Sequence, residues 1–276
     1  MIFIPRSSQR PQYHPLTTPV CQQGGYLTSL GLPITQTRAI IPRLQRLLHS
    51  ARAAHLPIYH TREGHRPDLS TLSTRERTRS RNNPSGLGIG DTGPLGRLLI
   101  RGEAGHDTIP ELYPLPTEPV IDKPGRGAFA HTDFDLLLRV RGIKNLILTG
   151  VTTDVCVSST MREANDRGYD CVIVEDCTAA ASEEVHNGAL KSVVLEGGIF
   201  GAVAKFAEVV AAVESLVPRE GRLIGGVMSE QGLAVARGAG QVPIPQNPYG
   251  LTAQARDGGG YQDEDDDDDA EGEGMV

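Results

Sequence analysis

The chain has 276 residues, with 27 Lys and Arg against 34 Asp and Glu and a formal net charge of −7. Nine of the acids lie between residues 263 and 273, and without them the balance is about +2, so the rest lacks the basic surplus of a nucleic-acid binder. Met1–Pro5 is too short for the apolar core of a signal peptide, no run approaches a membrane span, and Cys21, Cys156, Cys171 and Cys177 show no metal-ligand spacing. These features predict a soluble, cytoplasmic protein with no nucleic-acid or membrane partner.

Residues 1–19 are rich in Pro, Ser and Arg and predict an irregular segment. A helix is predicted over 35–55, where Ile40, Ile41, Leu44, Leu47, Leu48 and Ala51 form one stripe and Thr35 or Thr37 could cap it. Leu56 to His60 reads as a short buried strand. The polar stretch Thr61–Asp68 follows as a loop at a strand end, where α/β sites gather. Glu63, His65 and Asp68 hint at metal ligands, yet the bland reading is a substrate-side or loop-ordering role. Residues 70–81 form an arginine-rich helix candidate, and Asn82–Gly96 carries dense turn signals. Gly86-x-Gly88-x-Gly90 follows no strand, so it fails as a dinucleotide fingerprint.

Val120–Phe129 is a strand end running into Lys123 and then a Pro-Gly turn. Residues 133–141 predict a helix packing its leucines on a sheet. Further helices are predicted over 182–195, with Ser182 as cap, and over 205–217; from 218 onward the composition predicts disorder ending in the acidic run.

Residues 146–178 organise the rest. Leu146–Leu148 is apolar and strand-like, Gly150 breaks it, and Thr153 and Asp154 are of helix-capping type just before Cys156. A helical pattern runs from Val155 to Arg167, and Cys171–Val174 is a second apolar run. Two strands joined by a helix imply parallel pairing, which puts Cys156 at a sheet edge and a helix N-terminus. There the helix dipole and free N–H groups favour a thiolate and could hold an oxyanion. Position alone leaves two readings, a nucleophile or a small buried core residue.

Gly150-Val151-Thr152-Thr153-Asp154-Val155-Cys156-Val157, followed by Thr160, Arg162, Glu163, Ala164 and the Gly168–Asp170 turn, resembles the signature of the isochorismatase-like cysteine hydrolases. The likeness runs from about Cys21 to about Ala212. It implies that Cys156 attacks an amide or ureide carbonyl, that the Val151–Thr152 bond is cis and turns backbone amides toward the oxyanion, and that Lys123 is the site's lysine. An ammonium beside a thiol lowers the thiol pKa and steadies the attacked carbonyl. The resemblance also suggests that Tyr26, Glu63, His65 and Phe129 line the pocket. Leu95–Asp107 is similar to the branch of biuret hydrolases and ureidoacrylate amidohydrolases.

One element of the family pattern is missing. Its aspartate would fall near Pro15, and Met1–Arg62 contains no Asp or Glu at all. This leaves three accounts open: weaker catalysis by Cys156 and Lys123, a pseudoenzyme kept for binding or assembly, or an N-terminus other than the one given that restores a strand with Asp-x-Gln.

The expected architecture is a three-layer α/β/α domain with a mainly parallel sheet over residues 20–217, between an irregular 1–19 and a disordered 218–276. The expected activity is cysteine-dependent hydrolysis of a C–N bond in a small amide or ureide through a thioester, with no cofactor and no metal, in a homodimer or homotetramer.

Overall fold

In the computed structural model, residues 16–19 and 25–217 are described. The alternating strands Ile58–Glu63 (β2), Asn145–Val151 (β6) and Asp170–Ala179 (β7) carry apolar side chains on both faces, as a sheet covered on both sides requires. They belong to a six-stranded sheet in the order β5-β2-β1-β6-β7-β8, with Leu16–Pro19 as β1, Val120–Lys123 as β5 and Ala202–Ala204 as β8. Every pairing in this sheet is parallel.

Because side chains alternate across a strand, neighbouring residues feed different cores. Ile58, Ile147 and Val174 join one cluster with Ile41–Ala53 (α3) and Phe206–Ser215 (α8). Tyr59, Leu146, Leu148 and Ile173 join the other with Phe134–Val140 (α5), Ser158–Asp166 (α6) and Glu183–Val194 (α7). The three layers are those the sequence predicted.

Several elements differ from expectation. β1 lies within the segment predicted irregular, and it occupies the centre of the sheet between β2 and β6; four residues rich in Thr and Pro carry too short a pattern to be read alone. The predicted 35–55 helix is two, Thr35–Ala39 (α2) and α3, with Pro42 in the first turn of α3. Neither threonine caps α2; Thr37 Oγ1 instead donates to the Ile34 carbonyl at 2.9 Å. β2 runs on to Glu63, so the stretch read as the start of a loop is the end of a strand. β7 continues past Glu175 and Asp176 to Ala179, and β8 was not foreseen. The arginine-rich helix is Thr74–Ser80 (α4), capped by Ser73, and Ser182 caps α7 as predicted. The predicted tail lies outside the described residues, as do Cys21–Gly24.

The strand order has one reversal. The chain lays down β1, β2 and β5 outward in one direction, then returns to lay β6, β7 and β8 in the other. Ligands in open parallel sheets gather beyond the strand carboxyl ends at such a point, which here is the β1–β6 boundary.

Candidate active site

Three strand ends deliver the polar groups. β2 and β5 pair with Glu63 level with Lys123, so both side chains leave the sheet at the same height. On the far side of β1, β6 shifts register between Leu148 and Gly150. Gly150 sits at φ 99°, a conformation that L side chains rarely adopt, and the Val151–Thr152 bond after it is cis, as the resemblance implied.

The chain then enters Thr153–Val157 as one wide π-helical turn, closed by Val157 N–H donating to the Thr152 carbonyl at 3.1 Å. Such turns are uncommon and often found at functional sites. The helix predicted from Val155 therefore begins as α6 only at Ser158. Thr153 and Asp154 do not cap it; Thr153 is buried, with its hydroxyl 2.8 Å from His186 Nδ1.

Lys123 Nζ lies 3.4 Å from Cys156 Sγ and 3.4 Å from Glu63 Oε2, and donates to the Gly125 carbonyl at 2.8 Å. Its side chain is only 1 % exposed. A buried ammonium is costly unless paired, and these three acceptors supply the pairing. Cys156 Sγ in turn approaches Glu63 Oε2 at 3.8 Å. A thiol, an ammonium and a carboxylate thus form a closed triangle.

Burial pushes the Cys156 thiol above its ordinary pKa, against the pull of the Lys123 charge; the Glu63 carboxylate raises it further, and hydrogen bonds from Lys123 and the Thr152 backbone oppose it. This corrects the expectation of an easily ionised thiol: the helix-end and lysine effects are present, but desolvation outweighs them.

These groups open into a cavity of about 400 Å³. Its polar side includes Glu63, Lys123, Arg126, Thr152, Asp154 and Cys156, and its apolar side is built by Tyr26–Ser29 (α1), the following loop and Ile41. Tyr26 faces the charged group, and its phenol is held above its usual range by burial first and by Glu63 next. Arg126 is paired with Glu76 of α4.

Of the predicted site residues, Cys156, Lys123, Val151, Thr152, Tyr26 and Glu63 meet around this cavity. His65 and Phe129 do not line it. His65 is buried with Nδ1 3.0 Å from the Thr71 carbonyl, and Phe129 packs on Phe134 and Tyr169. Both sit close in sequence to site residues, but the first is turned into a loop and the second into the core. Arg126 and Asp154 line the cavity without having been predicted as site residues; the signal for Arg126 was its place three residues after Lys123, and for Asp154 its place two residues before Cys156. Among the described residues, no cluster of three or more His, Cys, Asp or Glu could hold a metal ion.

A profile of the Isochorismatase domain matches residues 21–210. The chain belongs to the isochorismatase family. Among curated relatives, the ureidoacrylate amidohydrolase RutB of Pantoea ananatis is 35 % identical over 164 residues, covering 59 % of this chain and 65 % of that protein, slightly less than two thirds of its length. RutB of Methylorubrum extorquens is 30 % identical over 199 residues, covering 67 % of this chain and 75 % of the relative. A solved cysteine hydrolase from Pseudomonas syringae pv. phaseolicola superposes with a TM-score of 0.63 at 26 % identity, covering 76 % of this chain and 97 % of that one. Within the family frame, the aspartate expected near Pro15 is absent from this sequence.

Proposed function

We propose that this chain hydrolyses a C–N bond in a small amide or ureide, with Cys156 as the nucleophile. The observation that carries the reading is the contact of Lys123 Nζ with Cys156 Sγ at 3.4 Å in the wall of a cavity. Sγ attacks the carbonyl carbon, and the carbonyl electron pair moves onto oxygen. The buried ammonium and the backbone N–H groups near Thr152 and Cys156 steady that charge. The C–N bond then breaks to leave a thioester, which water opens. No step calls on a cofactor.

The RutB relatives suggest a ureide as substrate. Ureidoacrylate carries a carboxylate, and Arg126 in the cavity wall offers a cation for such an anionic end.

The test is ammonia release from ureidoacrylate, biuret and nicotinamide by the purified chain and by Cys156→Ala. The expected result is release from a ureide that falls to background in the variant. The missing family aspartate favours a second reading, a pocket that binds without turnover. Saturable ureide binding with no release from folded protein would select it.

A further inference from the structure

The site needs a proton acceptor. The proton of the Cys156 thiol must leave as the S–C bond forms. Two carboxylates stand in the cavity wall, Asp154 and Glu63. Of these, Glu63 is the one in contact with the thiol, at 3.8 Å, and with the ammonium, at 3.4 Å. It is also the first acidic residue of the chain, since residues 1–62 contain none. The fold explains the reach: β2 and β6 flank β1, so a longer side chain from the end of β2 meets the same sulfur that β6 delivers.

We infer that Glu63 is the general base and acid of this site, serving from β2 in place of a carboxylate on the first strand; the inference rests on the hydrolase reading above. As Sγ bonds to the carbonyl carbon, its proton passes to Glu63 Oε2. Glu63 returns that proton to the nitrogen as the C–N bond breaks, and an amine or ammonia departs. The regenerated carboxylate takes a proton from water as the water oxygen bonds to the thioester carbon. The C–S bond then breaks, the sulfur recovers the proton, and one water is consumed per turnover. Lys123 contacts both and holds Glu63 and Cys156 together.

The test uses p-nitrophenyl acetate, which has no N–H group for Glu63 to recognise and whose leaving group needs no protonation. The full chain and its Glu63→Gln and Glu63→Asp variants are followed by p-nitrophenol release and by mass mapping of acetyl on Cys156. Wild type should be acetylated at Cys156 and turn over. E63Q, which lacks the acceptor of the thiol proton, should acquire acetyl more slowly and then clear it about 100-fold more slowly, the low end of what a positioned base contributes, and E63D should recover part of both rates. The decline of wild-type deacylation toward acid pH should disappear in E63Q, a change that a merely structural role would not produce. Acetyl-Cys156 clearing from folded E63Q at the wild-type rate overturns the assignment and leaves the hydrolase reading standing. A wild-type Cys156 that never acquires acetyl overturns both.

Discussion

Lys123 is the residue on which the site's electrostatics turn, because it contacts both the thiol and the carboxylate. Lys123→Met should lower kcat/KM for the ureide by 100-fold or more, in line with loss of one positioned charge donor. It should also lower Tm, because Glu63, only 14 % exposed, loses its buried cation. Kinetics and thermal melts on the same preparation check both effects. Gly64 follows Glu63 directly, and a Cβ there would overlap the His106 ring. Gly64→Ala should therefore cost activity by displacing the end of β2, although it adds only a methyl group. At this scale the sequence was informative where chemistry leaves a spaced signature. Cys156, Lys123 and the Val151–Thr152 bond were legible. Glu63 was seen only as a pocket residue, since Thr61-Arg62-Glu63 is polar and reads as a loop. Those residues are strand because they pair with Ile121-Asp122-Lys123, and they line the cavity.

At the scale of elements, Glu118 ties three parts of the fold together. Its carboxylate accepts from Arg52 of α3 at 2.8 and 2.9 Å, from the Leu115 N–H at 2.9 Å, and lies 2.9 Å from His60 Nε2 of β2. Burial alone would raise its pKa, but these partners win and hold it down at about 2. A depressed carboxylate stabilises the fold above its unfolded pKa, near 4.5, and that contribution drains away as pH falls from there toward 2. The shift corresponds to roughly 3 kcal/mol at neutral pH. Glu118→Gln should therefore lower Tm clearly at pH 7 and much less at pH 2.5, as thermal melts at the two pH values will show. Element types were readable from periodicity, and boundaries failed where polar residues belong to strands. Glu175 and Asp176 looked like the close of β7, yet one pairs with Lys205 and the other accepts from the Phe206 N–H at 2.7 Å. Their charges are met by the start of α8, so the strand continues. β1 and β8 are too short to carry a period, and only the sheet around them fixes them.

For the molecule as a whole, the sheet separates two cores that share no side chain among the described residues. Leu47 of α3 and Leu138 of α5 are fully buried in different cores. Leu47→Ala and Leu138→Ala should each cost about 2–5 kcal/mol, and the double variant should approach their sum because the sites share no partner. Denaturant unfolding of the three variants measures this, and a large coupling energy would show that the layers respond as one. The same layered plan sets the activity. Strands on both sides of the β1–β6 switch point bring Glu63, Lys123 and Cys156 to one cavity, although they are distant in sequence. The central claim, covalent catalysis at Cys156, is tested most directly by quenching turnover of a carbon-labelled ureide in acid and mapping the Cys156 peptide by mass. The account predicts a labelled acyl or carbamoyl group on Cys156 during turnover, absent from Cys156→Ala. Ammonia release with Cys156 unmodified, persisting in the variant, would contradict it.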